Sequence, residues 1–172
     1  MSTESGKRYR SGMFGGKFVP FHIGHLYCMD YAASVCDKLY VILFYGGAEE
    51  QYILSEENHI IANDLLTPES RIERMSKAAS YYPNVEFVTI DISKLKNPDG
   101  TDNWDLETDL VLAACVRFDV VFSGSQDHYK PYFDRAYPWA DFEIIDPGRT
   151  HYPISATMVR MMEENEELRW LA

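Results

Sequence analysis

The chain has 172 residues, 46% of them hydrophobic, enough to bury one sizeable core without metals or disulfides. A net charge of −11 repels a polyanionic backbone over most of the surface, which argues against long nucleic acid as a ligand but leaves room for a small phosphorylated molecule in a locally basic pocket. Cys28, Cys36 and Cys115 are odd in number and lack CxxC spacing, so they read as reduced core residues rather than a disulfide framework or a zinc ribbon.

Residues 1–7 are small and polar and read as a mobile tail ahead of one domain over 8–172. No apolar run approaches the ~18 residues of a membrane helix, and MSTESGKRYR has no signal-peptide core. A cytoplasmic protein without membrane partners is therefore expected. The first strand is predicted over Tyr9–Phe14, ending where Gly15 and Gly16 interrupt the pattern. Apolar residues at helical intervals between His25 and Cys36 predict a helix, and LYVILFY, Leu39–Tyr45, is the continuous apolar run of a strand buried on both faces. The acidic, aperiodic stretch 48–66 reads as a long loop or short helices over a site. Thr67 followed by Pro68 starts a helix expected to reach Tyr82.

The rest alternates: strand Val85–Asp91, loop NPDGTDN, helix Trp104–Arg117, strand Asp119–Ser123, short helix Lys130–Tyr137 and strand Phe142–Ile145. Such alternation predicts an α/β fold, a Rossmann-like parallel sheet of about five strands with helices on both faces and its ligand at the carboxyl ends of the strands. The run EENEEL, Glu163–Leu168, reads as a solvated face.

Two segments carry chemistry. GKFVPFHIGH, Gly16–His25, begins at the end of the first strand and places His22 and His25 at the start of the first helix, where free amides and the dipole favour an anion. It is not a P-loop, since GxxxxGK[ST] is absent. In PISATMVR, Pro153–Arg160, Ser155 reads as a helix cap, Thr157 falls in the first turn and Arg160 one turn on, so hydroxyls and a guanidinium can converge on phosphate oxygens.

These segments resemble the HxGH and ISxTxxR signatures of the nucleotidylyltransferase superfamily. With the lysine of GKF, FDVVFSG, DPGRT and PDGTDNW, the chain from Gly12 to Trp170 is similar to the nicotinamide-nucleotide adenylyltransferase domain of NadR-type proteins. The resemblance implies transfer of AMP from ATP to nicotinamide mononucleotide (NMN), giving NAD and pyrophosphate. It implies Mg²⁺ with the nucleotide and no protein metal ligands. Relatives often carry a kinase domain, for which this chain has no room, and many assemble, so a homo-oligomer is a possible state.

By the same resemblance His22, His25, Lys17 and Arg160 are the catalytic residues. Gly15, Gly16, Phe18, Ser123, Ser125, Ser155 and Thr157 would bind ATP, and Trp104, Asn103 and Arg71 the acceptor, with Trp104 stacking on the nicotinamide ring and Arg71 on a phosphate. Where relatives commonly have PNGW this chain has PDGT and keeps the later tryptophan, Trp104. The competing readings are a transferase acting on another phosphorylated acceptor and a non-catalytic pyridine-nucleotide sensor.

Overall fold

A computed structural model describes residues 6–55, 65–125, 129–160 and 170–172. The first part of the polar tail, the later half of the acidic stretch 48–66 and the run 163–168 lie outside the described residues. Five strands, β1 (Tyr9–Gly16), β2 (Cys36–Tyr45), β3 (Val85–Asp91), β4 (Val120–Ser123) and β5 (Asp141–Ile144), form one parallel sheet in the order β3-β2-β1-β4-β5. The helices are α1 (Ile23–Val35), α2 (Ala48–Ser55), α3 (Pro68–Ala79), α4 (Trp104–Ala114), α5 (Lys130–Ala136) and α6 (Ala156–Arg160). Among the described residues no helix is long and apolar enough to cross a membrane.

Alternate residues of the central strands feed two cores. Phe14, Leu39, Val41, Leu43 and Phe122 pack on one face with Met29 and Ala32 of α1 and Met75 of α3. Met13, Tyr40, Ile42 and Val121 pack on the other with Val111 of α4 and Tyr137 beyond α5. A sheet covered on both faces explains why β2 reads as an uninterrupted apolar run. The three cysteines are buried and free, as read from their spacing.

The boundaries differ from the sequence reading in instructive ways. β1 continues through both glycines, because Gly15 and Gly16 keep the parallel register with Ile42 and Leu43 of β2. A Cβ on Gly15 would stand 2.9 Å from the Phe44 ring, so that glycine is required by packing within the sheet. α4 stops at Ala114, three residues short of Arg117, where Cys115 turns to an extended conformation. The start of the 48–66 stretch is helical, its first amide, on Ala48, bonded to Asp102 Oδ1 at 3.1 Å.

Arg71 corrects an expectation. Thr67 caps α3 as its sequence suggests, its side chain accepting from the Ser70 amide, but the arginine one turn on does not reach a phosphate site. It is 1% exposed, and its guanidinium is committed to an ion pair with buried Glu50 and to the carbonyls of Leu66 and Lys17, at 2.8 and 2.7 Å. Glu50 in turn accepts from the Gly46 amide at 2.6 Å. The pair therefore ties α2 and α3 to the backbone just after β1, which is a positioning role.

Removing one partner of a buried ion pair leaves an uncompensated charge. Glu50→Ala and Arg71→Ala should each lose about 3–5 kcal/mol of stability in urea denaturation. The double variant should lose clearly less than the sum, because it strands neither charge; simple additivity would show that the pair does not act as a unit.

Candidate active site

β1 and β4 are hydrogen-bonded neighbours, yet β2 and β3 intervene in the chain, so successive connections leave β1 in opposite directions. Open α/β sheets take ligands at such a reversal. Two cavities, of about 310 and 380 Å³, open there and share a floor made by the ends of both strands, with Gly15, Gly16, Lys17, Ser123 and Gly124 lining each.

The first cavity is bounded by the two motif segments. His22, at the start of α1, is 4% exposed, and its Nδ1 accepts from the Gly24 amide at 3.1 Å; His25 Nδ1 accepts from the His22 amide at 3.3 Å. The imidazoles stack with centroids 3.7 Å apart, and the ring of Phe18, whose backbone is in the left-handed region at φ 51°, meets His25 edge-on at 4.8 Å. A neutral imidazole whose Nδ1 accepts carries its proton on Nε2, so Nε2–H is the donor that each ring can offer. Burial, and then the charge of Arg149, push His22 down to about 4; burial, His22 and Arg149 push His25 well below its ordinary value.

The spacing HxGH has a steric reason here. A Cβ on Gly24 would lie 2.9 Å from His22 Cε1 and 3.4 Å from Ile154 Cγ2, so the glycine lets the first imidazole fold back over the helix start and brings the second motif against it. One expectation is corrected: the amides at the start of α1 are not free for an anion. The Gly24 amide goes to His22 Nδ1, and the Ile23 amide donates to the Trp170 carbonyl at 2.7 Å. Any anion here would meet imidazole N–H groups and the helix dipole.

Ser155 accepts from the Met158 amide at 3.2 Å and so caps α6, and Thr157 lies in its first turn; both line the cavity with the histidines. Arg160 does not line it. It is 4% exposed and donates to the Val19 carbonyl at 2.5 Å and to Thr157 Oγ1 at 3.3 Å, clamping α6 to the turn that leads into His22. Its placement is that of a positioning residue rather than a contact group. Lys17 lines both cavities and pairs with exposed Glu49 at 2.5 Å.

Arg149 is one of the basic residues that the sequence offers for a locally basic pocket, but sequence reasoning gave it no specific role in the site. It follows Gly148 in a short turn, holds φ at 55° and lines the first cavity without an ion pair among the described residues. Buried Asp146 shapes that turn, accepting from Thr150 Oγ1 at 3.0 Å and from the amides of His151 and Tyr152 at 3.0 and 3.1 Å. Burial alone would raise its pKa, but these bonds outweigh it and hold the carboxyl below the usual range. The signal was the DPGRT segment just ahead of ISAT.

The second cavity is aromatic. Trp104 opens α4, and Tyr129 and Tyr132 stand 5.4 and 4.9 Å from its ring centroid; all three line the cavity. Asn103 does not line it: its Oδ1 accepts from the Leu106 amide at 3.1 Å, making it the α4 cap, and it faces a separate surface cleft beside Asp105. Ser125 lines the first cavity at the end of the β4 connection.

No protein-family model matches the chain. Over 151 residues, 87% of this chain, it is 22% identical to the trifunctional NAD biosynthesis/regulator protein NadR of Escherichia coli (strain K12) and spans 36% of that protein. Over 113 residues, 66% of this chain and 58% of the relative, it is 27% identical to the nicotinamide-nucleotide adenylyltransferase of Sulfurisphaera tokodaii. Among solved structures, a NadR protein in complex with NAD and AMP-PNP matches with a TM-score of 0.58 at 18% identity, over 88% of this chain and 42% of that one. A bifunctional NMN adenylyltransferase/ADP ribose pyrophosphatase from Francisella tularensis, complexed with AMP and a Mn ion, matches with a TM-score of 0.55 at 16% identity, over 95% of this chain and 44% of that one. The chain thus spans little more than a third of the NadR relative and under half of either solved chain. In sequence the chain is thus similar to a NadR protein and to a nicotinamide-nucleotide adenylyltransferase, and it shares the fold of the solved NadR and NMN adenylyltransferase structures.

Proposed function

We propose that the chain transfers the adenylyl group of ATP to nicotinamide mononucleotide. A phosphate oxygen of the mononucleotide attacks the α-phosphorus, the bond to the oxygen bridging the α- and β-phosphates breaks, and that oxygen leaves on pyrophosphate as NAD forms. One observation carries this reading: a polar cavity lined by His22, His25, Ser155, Thr157, Lys17 and Arg149 shares its floor with an aromatic cavity opened by Trp104. A nucleoside triphosphate in the first and a pyridine nucleotide in the second would meet above the ends of β1 and β4.

The attacking phosphate is already largely ionised at neutral pH, with a second pKa of about 6, so the reaction needs no general base. What it needs is the approach of two anions in line, with stabilisation of the charge that grows on the α-phosphoryl oxygens. The Nε2–H groups of His22 and His25 are suited to that task, because rings locked by their Nδ1 bonds need little reorganisation. Lys17 would exchange its exposed partner Glu49 for phosphate, Ser155 and Thr157 would hold the leaving pyrophosphate, and Arg149 would add a cation that no carboxylate among the described residues has claimed.

Among the described residues no three His, Cys, Asp or Glu side chains converge to hold a metal ion. The divalent cation expected from the chemistry, Mg²⁺, would come with the triphosphate and would neutralise part of its charge. The cavity needs only to accept that complex.

Purified protein with ATP, NMN and Mg²⁺ should form NAD and pyrophosphate in equal amounts; binding of both nucleotides without turnover would favour a sensor, and turnover only with another phosphate ester would overturn the acceptor. His25→Ala should lower kcat by about 10²–10³-fold. Trp104→Ala should raise the KM for NMN by roughly 3- to 30-fold with kcat little changed, the worth of a cation–π stack. A triphosphate should also raise the pKa of His22 from about 4, so binding below pH 6 should take up more protons in the unmutated protein than in His22→Asn. Asparagine keeps a capping acceptor but cannot titrate. Calorimetry in buffers of different ionisation enthalpy reads the difference, which should vanish above about pH 7.5; equal uptake throughout would mean that His22 does not face the phosphates.

A further inference from the structure

Three carboxylates line the aromatic cavity, and two are engaged: Glu49 with Lys17 at 2.5 Å, and Asp102 with Lys96 at 2.5 Å and the Ala48 amide at 3.1 Å. The third, Glu107, is half-buried and has neither an ion pair nor a hydrogen bond to its carboxylate among the described residues. It lies one turn after Trp104 on α4, so both side chains come from one face of the helix and line the same cavity. An acidic residue in a first helical turn favours the helix dipole, but that role is served as well by exposed Asp105. Partly burying an unpaired carboxylate carries a desolvation cost with no structural return in sight.

We propose that Glu107 selects the acceptor by charge, favouring a mononucleotide whose base is a cationic amide over one whose ring bears a carboxylate. The inference rests on the adenylyltransferase reading and assigns a specificity determinant within it. A pyridinium ring stacked on Trp104 brings a positive charge beside Glu107, and a ring amide brings an N–H donor. The acid form offers neither a donor nor a net positive ring, and sets a further negative charge in a cavity that already holds an unpaired carboxylate. Rejection by like charge in a half-buried site is an effective way to separate ligands that otherwise match in shape.

The charge on Glu107 depends on pH in the working range. Burial first, and then Asp102, push it up to about 7, against the pull of Lys17 and Lys96, while Tyr132 and Tyr137 face it from the α5 side. The carboxylate is therefore ionised above that pH and neutral below it, and kcat/KM reports the free enzyme. The acid ring's own carboxyl stays ionised across this range, and the acceptor phosphate titrates alike in both substrates, so the ratio of their kcat/KM values isolates Glu107.

The test compares NMN with nicotinic acid mononucleotide between pH 6 and 8.5 in the unmutated protein and in Glu107→Gln. Unmutated protein should prefer the amide at pH 8 and lose about ten-fold of that preference by pH 6, whereas Glu107→Gln should show a low ratio that is flat with pH. A ratio that does not respond to pH in the unmutated protein overturns the proposal, even if the variant fails to fold. An unchanged ratio in a folded variant does so as well. Turnover of neither mononucleotide would instead bring down the adenylyltransferase reading, and this inference with it.

Discussion

Everything at the site depends on the reversal of strand order at β1 within the parallel sheet. Because the chain builds outward through β2 and β3 and then returns to set β4 on the other side of β1, the carboxyl ends of two central strands open together. The parallel ladder holds Gly15 and Gly16 in register with Ile42 and Leu43, so this floor is as rigid as the sheet itself. Two cavities of different character can share it because the segments that follow β1 and β4, and those that precede α4 and α6, converge from opposite faces.

On that floor, the protein arranges groups by tying their backbones down. Arg71 grips the Lys17 carbonyl, Arg160 grips the Val19 carbonyl, and the 170–172 segment takes the Ile23 amide, so the six residues between β1 and α1 are fixed from three directions. Two buried arginines thus serve the site without lining it. Their work is to keep Phe18, His22 and His25 in a geometry that neither motif could maintain alone. The imidazoles stand neutral in a buried stack, in keeping with a site that supplies oriented N–H donors and leaves most of the formal charge to Lys17 and Arg149.

The sheet and its helices were largely legible, because long apolar runs and a capped start such as Thr67-Pro68 report local physics. The convergence of His22, His25, Ser155 and Thr157 on one cavity was legible from two motifs that each read as a helix start. The roles of arginines were not. Arg71 and Arg160 differ from Arg149 only in what surrounds them: Glu50, 21 residues away from the first, and the Val19 carbonyl, 141 residues from the second, decide that they are buried anchors. No periodicity carries such information. Asn103 could have been read as a cap, since it immediately precedes the helix start at Trp104 and its side chain is of the right type. Of the free amides expected at α1, that of Ile23 is taken by the carbonyl of Trp170, which lies far along the chain, and that of Gly24 by the His22 ring.

The account stands on one spatial claim, that the nucleoside triphosphate and its acceptor lie side by side over the ends of β1 and β4. A crystal structure of the protein with NAD tests it most directly. The adenylate should occupy the cavity of His22, His25 and Ser155, the nicotinamide ring should lie against Trp104, and the bridging pyrophosphate should sit above Gly15, Gly16 and Ser123. NAD bound with its pyrophosphate elsewhere on the surface, or with the nicotinamide ring remote from Trp104, would contradict it.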